Sequence, residues 1–245
     1  DPKKPYALTK EEEDIMERLE RAFENCEKLQ SHMHFLLSKG GLYKVYNNNL
    51  LYHGCIPLNE DGSFKSVKIY GRSYKGKALY EVLESYVRKG FYAIDEKERK
   101  RGKDMMWYIW LSENSPLFGK DKMATFERYF LAEKETHKEK KNPYYDFLEN
   151  DKVVDRILKE FGLEHSFSHI INGHMPVKSK NGENPMKCGG KVFVIDGGFS
   201  RAYQKQTGIA GYTLIYNSYG MILSAHEPFE SKESAIENET DIHSD

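Results

Sequence analysis

Three apolar runs in this chain end in residues suited to metal chemistry. The first, Leu-Leu-Tyr-His-Gly-Cys-Ile-Pro-Leu, places His53 just past the run, with Gly54 turning the chain. The second, Ile-Ile-Asn-Gly-His-Met-Pro-Val, places His174 in the same way after Gly173. An imidazole that leaves a buried strand beside a glycine is held rigidly and points into a loop-lined cleft. Neutral histidines are often presented to a metal like this. A loop histidine hydrogen-bonded to the backbone has the same surroundings, and for either residue alone that is the simpler reading. The pair favours a metal, although two ligands do not complete a site. The third run, Val-Phe-Val-Ile-Asp-Gly-Gly-Phe, ends at Asp196. Asp196 is placed either to accept the spare ring N–H of a ligand histidine and orient it, or to cap the turn that follows.

The remaining candidates are weaker. His165 and His169 precede His174 at tempting spacing, but Phe167, Ile170 and Ile171 mark a strand, where alternate side chains face opposite ways. The tripeptide Asp241-Ile242-His243 has the form of a metal motif but follows no strand, and the role of His226 is open. The basic clusters 97–103 and 134–141 are interleaved with acids and read as solvated faces. No P-loop, GxSxG or HExxH pattern occurs.

These residues need elements to position them. Thr9 and Glu12 form a T-x-x-E capping pair, and Ile15, Leu19, Ala22, Cys26, Leu29, Met33 and Leu36 repeat at steps of four and three. That pattern predicts one long helix over 9–39, with a seam of the coiled-coil kind, stopped by Gly40-Gly41. Short strands are expected at 42–46 and 50–52 around an Asn-Asn-Asn turn, and at 67–70. Helices are expected at 74–91, 123–131 and 150–161, with a short apolar segment at 104–111. Strands follow at 168–171, at 191–195 and in a hairpin over 212–224, and a polar, loose tail follows residue 231. Helices inserted between such strands predict an α/β layered fold, which places ligands at the carboxyl ends of its strands. The domain reading is a scaffold helix at 1–41, a main body at 42–230 and a tail at 231–245.

Composition sets the bounds. The chain has 245 residues, 39% hydrophobic and 13% aromatic, enough core material to exclude disorder for most of it. A net charge of -1 argues against a dedicated nucleic-acid binder, and no apolar run approaches the length of a membrane helix. Three cysteines without CxxC spacing fit a reducing cytosol. The chain opens on Asp1-Pro2 rather than Met, which raises the expectation of an excerpt.

The stretches NNNLLYHGCIPLNEDGSF, WYIWLSENSPLFGKDKMATFERYF, IINGHMPVKSKNGENP and VFVIDGGFSRAYQKQTGIAGYTLIYNSYGMILSAHEPFES closely resemble the class III fructose-1,6-bisphosphatases of Firmicutes. The resemblance covers nearly the whole chain. It implies a calcineurin-like metallophosphoesterase core, a β-sandwich flanked by helices with a two-metal site. That superfamily builds its site from five blocks. His53-Gly54 resembles the fourth and Gly173-His174 the fifth, and Ile195-Asp196-Gly197-Gly198 looks like the strand end that follows it. The first three blocks are absent, and Met175-Pro176 stands where many members carry a further histidine. The missing blocks would supply the bridging carboxylate, an Asn ligand and the proton donor.

The resemblance therefore implies the C-terminal part of an enzyme that hydrolyses the 1-phosphate of fructose 1,6-bisphosphate in gluconeogenesis. The implied mechanism is attack by a hydroxide bridging two ions, without a phosphoenzyme. Manganese is the implied metal, since imidazole ligands favour transition metals over Mg²⁺. His53 and His174 are the expected ligands, and Lys120, Lys178, Arg201 and Lys205 are candidates for gripping the sugar bisphosphate. The expected partner is the N-terminal part of the same polypeptide, in the cytoplasm, with no nucleic acid or membrane and with homo-oligomers open. This chain alone is expected to be inactive. Two other readings stand: a related phosphoesterase with a different substrate, and a non-catalytic interaction module using the Ile15 to Leu36 seam.

Overall fold

The computed structural model describes the chain except residues 1–2, 165–166, 197, 199, 209–210, 227–229, 239–242 and 245, with 201–203 and 243–244 described in backbone alone. The chain divides into two compact units, Asp1–Gly41 and Leu42–Asp245.

The first unit corrects the single long helix. It holds α1 (Lys10–Glu24) and α2 (Glu27–Lys39), separated at Asn25 and Cys26. The capping box forms as expected: Glu12 N–H donates to Thr9 Oγ1 at 3.3 Å, and Thr9 N–H donates to Glu12 at 2.7 Å. The break has a local cause. Asn25 turns both its backbone N–H and its side-chain amide onto the Arg21 carbonyl, at 3.0 and 2.8 Å. Asn competes with the helical ladder in this way, and Cys26 then runs extended (ψ 99°) and becomes the first residue of a new helix start. The stripe of apolar residues crosses this break, so no continuous seam exists. Ile15 and Leu19 are each about half exposed (48% and 49%).

The second unit is built on a five-stranded sheet of order β1-β2-β5-β7-β6. β1 (Tyr43–Tyr46) and β2 (Asn49–Tyr52) form a hairpin. Its two turn residues, Asn47 and Asn48, have φ of 45° and 61°, the mirror-image turn that asparagine tolerates. β3 (Val67–Ile69) and β4 (Arg72–Tyr74) pair separately. The helices α3 (Gly76–Tyr92) and α4 (Glu96–Leu111) then pack as a hairpin. α4 takes in both the basic cluster and the apolar segment, which the sequence reading treated apart. A Cβ on Gly102 would lie 2.1 Å from the Gly90 nitrogen, so the two backbones meet where neither residue carries a side chain. Leu79, Leu83, Met105 and Ile109 fill the seam around them.

α5 is short (Thr125–Phe130), and α6 (Asp151–Glu160) buries Val153, Val154, Ile157 and Leu158, the stripe read from their spacing. β5 (His169–Asn172), β6 (Met186–Lys187) and β7 (Val192–Val194) complete the main sheet. α7 (Arg201–Thr207) leads to the hairpin of β8 (Gly211–Asn217) and β9 (Gly220–His226). The tail is not loose throughout: α8 (Lys232–Glu237) forms, and β10 (His243–Ser244) pairs with β9.

β2, β5 and β7 run parallel side by side. Their side chains Leu50, Ile170 and Val192 are fully buried, each contributing about 1.5–3 kcal/mol of apolar burial. The same core takes in Tyr212 and Leu223 from the β8–β9 hairpin. The architecture is mixed α/β. No helix among the described residues is long and apolar enough to cross a membrane.

Candidate metal centre

The parallel arrangement brings the three sequence candidates to one edge. His53 follows β2, His174 follows β5 and Asp196 follows β7, so all three stand at the carboxyl ends of adjacent strands. His53 Nε2 and His174 Nδ1 are 3.0 Å apart. Gly173 N–H donates to the His53 carbonyl at 2.9 Å, and Ile195 N–H donates to the Asn172 carbonyl at 2.9 Å, which ties the three strand ends together. Asp196 lies against Gly173: a Cβ there would be 3.5 Å from the Asp196 Cβ. Asp196 Oδ1 accepts from Gly198 N–H at 2.9 Å, the turn-capping role that was the alternative reading. Its charge also acts on both histidines, favouring their protonated forms.

A loop that sequence reasoning passed over holds His174. His174 Nε2–H donates to the Phe118 carbonyl at 2.7 Å. A carbonyl only accepts, so this bond fixes the Nε2–H tautomer and leaves Nδ1 as a lone pair facing His53. The loop is anchored by fully buried Ser115, whose hydroxyl donates to the Ile109 carbonyl and accepts from Leu117 and Phe118 N–H at 3.2 and 3.4 Å. Cys55 N–H donates to the Pro116 carbonyl at 2.8 Å. A Cβ on Gly54 would sit 2.3 Å from that same carbonyl oxygen, so only glycine fits after His53. His174 itself has φ 68°, a conformation that costs a non-glycine residue about 1–3 kcal/mol.

Burial lowers the pKa of both rings. For His174 the neighbouring His53 lowers it further, and Lys120 adds to this, while the Phe118 carbonyl and Asp196 oppose it. Neutral imidazole is the form that binds metal.

The pair fits a divalent ion. Two nitrogens each about 2.1 Å from one ion, at the right angle of an octahedral shell, stand about 3.0 Å apart. His53 need only move its ring proton to Nδ1 to offer Nε2. Asn172 adds a buried oxygen at the same edge: its Nδ2 donates to the Gly54 carbonyl at 3.0 Å, while Oδ1 has no partner among the described residues. Among those residues no group of three His, Cys, Asp or Glu side chains could hold an ion.

The other candidates fall elsewhere. His169 opens β5 at the opposite end from His174, its ring against Phe193 at 5.6 Å between centroids. His226 shares a 2.7 Å hydrogen bond with the Thr213 hydroxyl on the β8–β9 hairpin. Lys120 is half-buried and pairs with Glu139 at 2.8 Å. Lys178 and Lys205 are exposed. His165, the Arg201 side chain, Asp241 and Ile242 lie outside the described residues. The cysteines are all free, with Cys55 and Cys188 buried, and burial pushes the Cys55 thiol up to about 12.

The model of the Firmicute fructose-1,6-bisphosphatase family matches residues 1–245. The chain belongs to that family. Among curated relatives it is 59% identical to a class 3 fructose-1,6-bisphosphatase of Clostridium novyi (strain NT), over 99% of this chain and 36% of the relative. It is 60% identical to that of Clostridioides difficile (strain 630) over 99% of this chain and 37% of the relative. It is 57% identical to that of Alkaliphilus metalliredigens (strain QYMF) over the same shares. The chain thus spans little more than a third of the length of the family members it matches. No solved structure matches.

Proposed function

We propose that these 245 residues are the C-terminal part of a metal-dependent fructose-1,6-bisphosphatase. The reaction adds water across the phosphoester bond of the 1-phosphate, giving inorganic phosphate and fructose 6-phosphate, a step that serves gluconeogenesis in the cytoplasm. The observation that carries this is the 3.0 Å approach of His53 Nε2 to His174 Nδ1 at the ends of neighbouring parallel strands, in a chain of this family. His53 and His174 are the metal ligands. Phe118 and Asp196 orient and charge-balance them.

The family implies a divalent metal, and manganese suits two imidazoles better than magnesium does. A bound ion supplies Lewis acidity and an activated water for phosphoryl hydrolysis. The carboxylate ligands come from the longer polypeptide outside these residues. With them, the sheet that holds Leu50, Ile170 and Val192 and the hairpin that holds Tyr212 and Leu223 make up part of a calcineurin-like sandwich; their shared core supports this. The exposed rings of Trp107, Trp110, Phe126, Tyr129 and Phe130 support a larger protein that covers them.

The test is phosphate release from fructose 1,6-bisphosphate with Mn²⁺. The full-length protein is expected to be active, and the 245-residue chain at least a hundredfold less so. Equal activity of the two would show that the site needs nothing from outside this chain. An inactive full-length protein would refute the phosphatase reading.

A further inference from the structure

The two histidines are not held alike. The His174 ring is fixed by the Phe118 carbonyl. The His53 ring is exposed, and among the described residues its only hydrogen bond is the one to His174. Its placement therefore depends on the backbone that carries it.

That backbone is gripped at every carbonyl of the turn 53–55. The His53 carbonyl accepts from Gly173 N–H at 2.9 Å, the Gly54 carbonyl from Asn172 Nδ2 at 3.0 Å and the Cys55 carbonyl from the Tyr80 hydroxyl at 2.9 Å. Two of these donors are side chains. The Asn172 amide reaches the residue next to His53. Tyr80 reaches one residue further, where Cys55 is already tied through its own N–H to the Pro116 carbonyl.

Asn172 is out of place in its strand. It shares a face of the sheet with Ile170 and stands in register with Val194, both buried and apolar. At 2% exposure, an amide there is costly unless it is hydrogen-bonded. The register of β2 with β5 ends at Leu51 opposite Ile171. Beyond that pair, the amide bond to Gly54 supplies a cross-strand tie that the ladder no longer makes. A carbonyl only accepts, so Gly54 fixes which end of the amide faces it. The Oδ1 is left without a partner among the described residues, a penalty the fold carries to keep the bond to Gly54.

We infer that Asn172 is a positioning residue for His53. Its amide locks the turn after β2 onto β5, two residues before His174, and so sets the 3.0 Å approach of the two ring nitrogens. The inference rests on the reading of His53 and His174 as metal ligands, and the experiment separates the two.

Mn²⁺ affinity of the full-length protein is measured by calorimetry around a double-mutant cycle. Asn172→Leu nearly keeps the side chain's size and removes the donor. It is expected to weaken binding about tenfold. In a His53→Ala background the same substitution is expected to change nothing further, and in a His174→Ala background to keep its tenfold effect. No loss in the wild-type background would overturn the inference. So would an equal loss in all three backgrounds, which is what a ligand or a general support of the sheet would give. Asn172→Asp sets an acceptor against the Gly54 carbonyl and is expected to weaken binding despite its negative charge; binding as tight as the wild type's would overturn the inference as well. Tyr80→Phe is expected to lower the urea midpoint with Mn²⁺ affinity retained, and a tenfold loss there would show that any loosening of this core has the same effect. Failure of the metal reading has a different signature. The wild type would then bind no Mn²⁺, while the proton shared by His53 and His174 in the metal-free protein, read as a downfield NMR signal, would still be lost in Asn172→Leu and kept in Tyr80→Phe.

Discussion

The carboxyl edge of β2, β5 and β7 and the helical hairpin α3–α4 belong to the same unit, yet they use their unusual residues in opposite ways. In the hairpin, Gly90 and Gly102 let two backbones touch, and Leu79, Leu83, Met105 and Ile109 close over the contact. Among the described residues, no buried side-chain polar atom of that hairpin lacks a partner. At the sheet edge, Gly54 also lets backbones touch, but to hold a loop whose carbonyl grips His174. That edge keeps a non-glycine residue at φ 68° and a buried Asn172 oxygen without a partner among the described residues. Close packing serves stability in the hairpin, and at the sheet edge it serves the placement of two nitrogens. Natural folds concentrate such local penalties where they act on ligands.

The two regions should therefore fail differently. Gly102→Ala forces a Cβ into the Gly90 backbone and is expected to cost about 1–3 kcal/mol in urea unfolding of the full-length protein, with metal affinity retained. Loss of metal affinity in this variant would join the two regions into one device. Ser115→Ala frees the Phe118 loop and is expected to weaken metal binding about tenfold. In the metal-free protein it should also shift the His174 ring from its Nε2–H tautomer, as read by nitrogen chemical shifts. A purely structural serine would leave that tautomer in place.

The smallest effect concerns Glu139. Burial would raise its pKa, but Lys120, the Ala124 N–H and Arg128 together hold it below the usual 4.5. A folded-state pKa below the unfolded one contributes stability above the unfolded value, and that stability is lost as pH falls through the folded one. Glu139→Gln is thus expected to flatten the loss of stability below about pH 4.5. An unaltered acid profile would show that these partners do not stabilise the ionised Glu139 in the fold.

The sequence made some of this legible and hid the rest for physical reasons. His53 and His174 stood out because glycine next to histidine after a β-branched or apolar run is a local signal. The α6 stripe and the β8–β9 hairpin were equally local. The loop at 115–119 carries no ionisable side chain before Lys120 and contributes a backbone carbonyl, which no residue type announces. The break between α1 and α2 was hidden because Asn25 and Cys26 leave the apolar step count intact; only the amide's competition for the Arg21 carbonyl reveals it. Gly102 was masked by the lysines and arginines around it, which gave the segment the look of a solvated cluster.

The central claim is that parallel strands deliver His53 and His174 to one ion. Electron–nuclear double resonance of the manganese-loaded full-length protein reads ligand nitrogens directly. The account predicts that His53→Ala and His174→Ala each remove one histidine nitrogen coupling from the same metal signal. Couplings unchanged in both variants, with metal content retained, would contradict it.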